Sequence, residues 1–519
     1  MGCRPARRGG RLPSPRVGPR MCFRSRGICG DVFLDAAYGL ACVRCVSVRL
    51  DHNAQPFGVR RVGWRAWGNA GSRPAPRRPD VHDHRRAAGR DLGQTLSVPT
   101  SLEPPMKYAV AAAATLLMGG CASSYPAGSA PSGWARYSQM PADTAEMMTG
   151  EILFVTDRAP RGGGYGVERS TSMAAGKARI EVKGIDAPAY GAFMSGESDQ
   201  RPAYSADSIS EIVRFPGTPL AFSIENGVLT RERPSLARYQ EAGKAFQGML
   251  SEAVASQDTG NVLLYVHGFN NTFDHGAFNL FEVWNASGRA SVPVLFSWPT
   301  GGRSVWGYLG DTQDGDFAIF HLKEVIRLIS AAPEVDSVTI LAHSRGVSLV
   351  TDALRELMIE ARGSGLSMRD TYRVENLILA APDMDLGVME QRLVAEAFGM
   401  GFGQINVYVN PGDDALGLSG WVFGAPRFGA LTAESMSEES KAVFRGVRSV
   451  SFISVTDADR FDPHNYFRRH PGVLADIAAT IRTGAHPGDP ERPLEKGELN
   501  FWSIDQQYVP RLQQQPKEP

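Results

Sequence analysis

Thr339-Ile-Leu-Ala-His-Ser-Arg-Gly-Val-Ser-Leu-Val350 is the stretch on which the reading of this chain turns. Before the serine stands an apolar run, Ser337 to Leu341. After it, Val347, Leu349, Val350 and Leu354 recur at helical spacing. The pattern predicts a strand, a sharp turn carrying Ser344, and a helix. A serine so placed projects its hydroxyl from the turn, the layout of a nucleophile elbow. The usual pattern, Gly-x-Ser-x-Gly, here reads Ala342-His343-Ser344-Arg345-Gly346. Small residues are needed at 342 and 346 because strand and helix approach closely there. A plain helix N-cap is the other common use of such a serine, so the rest of the chain must separate the two.

Outward from the elbow, short apolar runs alternate with helical patterns. Strands are expected at Glu151 to Thr156, Ala178 to Val182, Asn261 to Val266, Val292 to Ser297, Asn376 to Ala381, Gln404 to Val409 and Val450 to Val455. Helices are expected at Ser235 to Glu252, Thr312 to Ser330, Gly346 to Ala361, Leu386 to Phe398 and Gly472 to Ile481. The third carries its elbow, and the second buries Ala318, Leu322, Val325, Ile326 and Ile329. Runs apolar throughout belong to strands covered on both faces, so the fold class is α/β, a mostly parallel sheet with helices on both sides. Residues 160–250 are less regular.

In such sheets ligands sit at the carboxyl ends of the strands. After Val266 comes His267-Gly-Phe-Asn-Asn271, where a glycine lets the backbone turn an amide inward. The N–H of Phe269 (or Asn270) and the N–H of Arg345 form a candidate oxyanion hole; a plain turn is the alternative. A serine hydroxyl needs a base, and the base needs an orienting acid. His464, in the loop after the strand ending at Val455, is the first candidate base, followed by His470 and His486. Asp413 is the first candidate acid; Asp383, Asp385 and Asp414 stand at the same rim, and any of them could instead cap a helix. No His or Glu ligand set accompanies the acids, so neither a metal nor a cofactor is expected.

Taken together, LLYVHGFNNTF (263–273), LFSWPTGG (295–302), Tyr308 and Asp311, LAHSRG (341–346), LAAPDMD (379–385), YVNPGDDAL (408–416), HNYF (464–467) and the early Thr156-Asp157-Arg158 resemble the α/β-hydrolase superfamily. More narrowly they resemble an esterase/lipase-like bacterial family of unknown function. The resemblance covers roughly residues 150–485. It implies an α/β-hydrolase fold with Ser344 as nucleophile, Asp413 as acid and His464 as base. It implies a serine hydrolase acting on an ester or related acyl bond, in a small molecule or a lipid. Arg345 departs from the uncharged residue expected there, though its backbone N–H is unaffected. That departure, with Ala342, leaves open a catalytically silent scaffold; the same residues would also support an acyltransferase.

The first 105 residues read differently. They hold 19 arginines, no lysine, seven acidic residues and five of the six cysteines, without helical or strand period. They are expected to be a non-native upstream extension or disordered. Met106 opens MKYAVAAAATLLMGGC, a basic residue, a short apolar run and a small-residue box before Cys121, which reads as a lipoprotein signal peptide over 106–120. The run is shorter than the ~20 residues of a membrane span. Cys121 is then the lipidation site, residues 121–145 a flexible tether, 146–485 the hydrolase domain and 486–519 a C-terminal tail. Ala122 after the cysteine points to the periplasmic face of an outer membrane. No cysteine follows Cys121, which excludes an internal disulfide or a thiolate nucleophile in the mature chain. The membrane, through that anchor, is the expected partner; nucleic acid is not.

Overall fold

The computed structural model describes residues 144–514, apart from 196–197, 199, 258, 301–304, 456 and 459–461. The expected upstream extension, signal peptide, Cys121 and nearly all of the tether lie outside the described residues. Thirteen strands are described: β1 Thr149–Arg161, β2 Gly164–Lys183, β3 Ala203–Arg214, β4 Phe222–Glu225, β5 Val228–Arg231, β6 Asn261–Val266, β7 Val292–Ser297, β8 Ser337–His343, β9 Val374–Ala380, β10 Gln404–Val409, β11 Val450–Val455, β12 Glu495–Lys496 and β13 Phe501–Ile504. Eleven form one sheet in the order β12-β13-β11-β10-β9-β8-β6-β7-β1-β2-β3, and β4 and β5 form a separate hairpin. From β13 to β1 every neighbouring pair is parallel. Antiparallel strands finish both edges, β12 on one side and β2 with β3 on the other.

Side chains of the central strands alternate between two cores. Val262, Leu264 and Val266 of β6 join one, and Leu263 and Tyr265 the other. Both faces are buried, which is why the strand reads as an unbroken apolar run. Helices Arg233–Gln257, Val305–Ser330 and Arg345–Gly363 contribute to the first core; Phe273–Ala286 and Pro471–Thr483 contribute to the second. The stripe Ala318, Leu322, Val325, Ile326 and Ile329 is buried as its spacing predicts, whereas Phe320 faces solvent.

The chain leaves β6 toward β7 and β1 but leaves β8 toward β9, β10 and β11. The helix after β6 packs on one face and the helix after β8 on the other. Adjacent strands whose connections part in this way define a topological switch point, and the crevice outside their carboxyl ends is where α/β sheets bind ligands. The turns at His267 and Ser344 both open onto it.

Two expectations need correction. The helix predicted over Leu386 to Phe398 is interrupted. A short α-helix at Leu386–Met389 widens into a π-helical turn at Glu390–Val394, and a 3-10 turn at Phe398–Gly401 follows. Ala397 adopts left-handed backbone, φ +54°, and the guanidinium of Arg362 donates to the carbonyls of Glu396 and Ala397. Backbone acceptors released by the break are thus satisfied by a side chain of another helix.

Residues 486–519 are not merely a tail after a domain ending at 485. Through Gln513 this segment holds β12, β13 and a helix at Tyr508–Gln513, and β13 pairs with β11. Its anchor is Arg492, fully buried. The guanidinium donates to both oxygens of Asp476, at 3.0 and 2.7 Å, and to Gln404 Oε1 and Asn406 Oδ1, each at 3.2 Å. Tyr408 and Tyr508 each donate a hydroxyl to Asp476 at 2.6 Å. A Pro-, Glu- and Gln-rich composition conceals a segment whose one buried charge has a partner waiting in the core.

Candidate active site

Ser344 follows β8 and precedes the Arg345–Gly363 helix with φ +52° and ψ −122°. A β-carbon in that region is strained for any residue but glycine, and its persistence marks a turn held by its surroundings. Ser344 occupies the N-cap position, but its side chain makes no capping hydrogen bond to the helix. Gly346 explains the tightness: a β-carbon there would stand 2.4 Å from the carbonyl oxygen of His267. The helix start is pressed against the neighbouring strand end, and no larger residue fits.

His464 Nε2 lies 2.9 Å from Ser344 Oγ, and His464 Nδ1 lies 2.8 Å from Asp413 Oδ2. A carboxylate offers only acceptors, so the imidazole places its proton on Nδ1 and donates it to Asp413. Nε2 then carries the lone pair and accepts from the serine hydroxyl. All three side chains are buried. Asp413 divides its two oxygens: Oδ2 faces the imidazole, while Oδ1 accepts from the backbone N–H of Leu416 at 3.1 Å and caps the Asp414–Phe423 helix. Capping and orienting, alternatives in the sequence, coexist on one carboxylate.

The other candidates are occupied elsewhere. Asp383 Oδ1 accepts from the hydroxyl of Ser419 at 2.9 Å and lies 3.4 Å from Arg427 Nε. Asp385 caps the Leu386–Met389 helix through Val388 N–H. Asp414 is exposed. His470 is buried and accepts from Val473 N–H as the N-cap of Pro471–Thr483, and His486 is on the surface.

The His464 loop is braced from several directions. Asp462, at φ +82°, accepts from the backbone N–H of Asn465 and from its side chain. Asn410 donates to the carbonyl of Pro463 at 3.0 Å. Behind the loop, buried Glu282 lies 3.2 Å from Arg468 Nη1. His343, one residue before the serine, donates Nε2–H to the carbonyl of His464 at 3.0 Å. Burial, followed by the electrostatic interaction with the neighbouring His464, holds the His343 pKa well below its usual value. It is therefore neutral, with its proton on Nε2. Sequence reasoning passed over His343, although its place beside the serine and its residue type were visible.

The His267 turn approaches the serine closely. A β-carbon on Gly268 would stand 2.8 Å from Ser344 Cβ, so the 268–269 peptide lies against the Ser344 turn. The N–H of Asn270 donates to Thr300 Oγ1 at 2.9 Å and is committed there. Of the two amides weighed for this turn, the Phe269 N–H belongs to the peptide that lies against Ser344. Among the described residues no cluster of His, Cys, Asp and Glu is arranged to hold a metal ion, and no helix is long and apolar enough to cross a membrane.

A family model described as "Alpha/beta hydrolase of unknown function (DUF900)" matches residues 242–482, a span containing Ser344, Asp413 and His464. The chain has an α/β-hydrolase fold. Solved structures similar to this chain include a Pyrobaculum calidifontis esterase in a monoclinic form, 13% identical, covering 43% of this chain and 76% of that one with a TM-score of 0.22. A lipase-esterase related protein from Clostridium acetobutylicum ATCC 824 is also 13% identical, covering 39% of this chain and 76% of that one with a TM-score of 0.16. No curated protein matches the sequence. In the α/β-hydrolase fold the nucleophile, acid and base follow in the order Ser, Asp, His, the order of 344, 413 and 464 here.

Proposed function

We propose that this chain is a serine hydrolase acting on a carboxylic ester or a related acyl bond. The observation that carries the reading is the continuous hydrogen-bond path from Asp413 through His464 to Ser344, ending at a serine held in left-handed backbone. His464 takes the hydroxyl proton as Ser344 Oγ attacks the carbonyl carbon. Backbone N–H groups of Phe269 and Arg345 hold the oxyanion of the tetrahedral intermediate. The protonated imidazole, stabilised by Asp413, gives its proton to the leaving alcohol. Water, deprotonated by the same imidazole, then attacks the acyl-enzyme and releases the acid. The chemistry needs no metal or cofactor.

The lipoprotein signal reading belongs to the same proposal: a lipid on Cys121 would hold the hydrolase at the periplasmic face of the outer membrane, near acyl lipids. The deciding experiment is a panel of esters with graded acyl lengths, assayed with wild type and Ser344→Ala, together with fluorophosphonate labelling. Hydrolysis and labelling that vanish in the variant support the enzyme. Folded wild type that neither hydrolyses nor labels favours the scaffold. Ester cleavage that yields product only with an acceptor other than water favours an acyltransferase.

A further inference from the structure

Arg158, near the end of β1, is fully buried. A guanidinium has five N–H groups in a fixed plane and no acceptor. Here Nε donates to Ser297 Oγ at 2.8 Å, Nη1 to the carbonyls of Gly166 at 2.9 Å and Thr300 at 3.0 Å, and Nη2 to the carbonyl of Asn271 at 2.7 Å. Nη2 also faces His267 Nε2 at 3.3 Å. Each of the five N–H groups thus has an acceptor, and these acceptors lie on the chain following β6, on the end of β7 and the residues after it, and on the start of β2.

The contact with His267 has a chemical consequence. Because Arg158 can only donate, His267 Nε2 must present its lone pair. Burial first, then the charge of Arg158, holds the His267 pKa well below its usual value, so the ring is neutral. Its proton then sits on Nδ1, which donates to the carbonyl of Gly268 at 2.9 Å. Asn271 Nδ2 adds a second donor to that carbonyl at 3.3 Å. The Gly268 carbonyl and the Phe269 N–H belong to one planar trans peptide and point in opposite directions. Holding the carbonyl therefore fixes where the N–H aims. Arg158 grips the turn from its other side as well, since the Thr300 whose carbonyl it holds receives the Asn270 N–H on its hydroxyl.

We propose that Arg158 is a positioning residue for hydrolysis, fixing through His267 and the Thr300 turn the direction of the Phe269 N–H that receives the oxyanion. The proposal rests on the serine-hydrolase reading above.

Arg158→Lys tests it, because one ammonium cannot reach five acceptors. The expected result is a fall in kcat of roughly 10–100-fold, up to the range seen when an oxyanion donor is lost. KM should change less than about threefold, since the interaction forms in the transition state. The pH midpoint of kcat/KM should not move, because Ser344, His464 and Asp413 are untouched. A second pair covers the case in which Arg158→Lys does not fold. His267→Asn keeps an N–H donor near the Nδ1 position and should retain several-fold more kcat than His267→Leu. A kcat for Arg158→Lys within about twofold of wild type, or equal losses in the two His267 variants, overturns the proposal. Amide hydrogen exchange separates it from the hydrolase reading: peptides spanning 268–271 should exchange faster in Arg158→Lys than in wild type, with 337–342 unchanged. Unchanged exchange at 268–271 removes the positioning role even in an active enzyme. A wild type with no hydrolase activity removes the oxyanion role, even if exchange at 268–271 changes.

Discussion

His464 Nε2 stands 2.9 Å from Ser344 Oγ, although 120 residues of chain separate them. Contact at that distance needs the ends of β8 and β11 to reach the same rim, which the sheet order provides with only β9 and β10 between them. If the contact serves proton transfer, Ser344→Ala and His464→Ala should each lower kcat for an ester substrate by at least ~10³-fold, and the double variant should lose little more than either single one. Additive losses would mean that the two side chains act separately.

Asp413 makes a sharper prediction because its oxygens do different things. Asp413→Asn keeps an oxygen for the Leu416 N–H but sets an amide against the imidazole, disfavouring the tautomer that serves the serine. Kcat should fall ~10²–10⁴-fold with little change in unfolding midpoint. Asp413→Ala should lose the same activity and also ~1 kcal/mol of stability with the cap. Urea unfolding of both variants checks this. Equal stability in the two would remove the capping role, and full activity in Asp413→Asn the orienting one.

Burial lowers the pKa of both His267 and His343 well below 6.5. In the unfolded chain each takes up a proton as the pH falls through about 6.5, whereas in the folded chain each stays neutral. Between about pH 6.5 and 5 the unfolded state thus holds more protons. Stability, fully present above 6.5, should fall as the pH drops, approaching about 1.4 kcal/mol per pH unit for each histidine. Urea midpoints at pH 7.5, 6 and 5 test this, with a flatter slope expected in His343→Asn. A slope unchanged in both His343→Asn and His267→Asn would place the acid sensitivity elsewhere.

Arg492 carries the C-terminal segment. Arg492→Met leaves Asp476 buried with two tyrosine hydroxyls and no counter-charge, a loss in the range of ~3–5 kcal/mol. Truncation after residue 485 removes Arg492 together with β13 and should give an insoluble or unfolded product. A truncated chain with wild-type stability and activity would reduce the segment to an appendage.

How far the sequence could be read depended on what each segment buries. The parallel strands were legible because both faces of β6, β7 and β8 are covered and most of their positions are apolar. The Arg233–Gln257 helix was legible from its period. By contrast β3, Ala203–Arg214, lies at a sheet edge with no fully buried residue along it, so it leaves no apolar signal. The pairing of β13 with β11 was hidden for a different reason: four residues are too few to show a period, and Arg492 reads as solvent-exposed until Asp476 is seen. At the candidate site, the residue types and strand-end positions pointed to Ser344, Asp413 and His464. Arg158 was visible only as part of the early Thr156-Asp157-Arg158, because the value of a buried guanidinium lies in acceptors contributed by three segments distant in the sequence.

Because β13 flanks β11, and β11 leads into the loop that presents His464, assembly has a direction in time. A ribosome makes the Ser344 turn more than 150 residues before Phe501–Ile504. Until Phe501–Ile504 has emerged and docked, β11 is an open edge beside the loop that presents His464. A nascent chain that has not yet made Phe501–Ile504 therefore presents β11 as an unpaired strand, open to pairing with another chain until that segment docks.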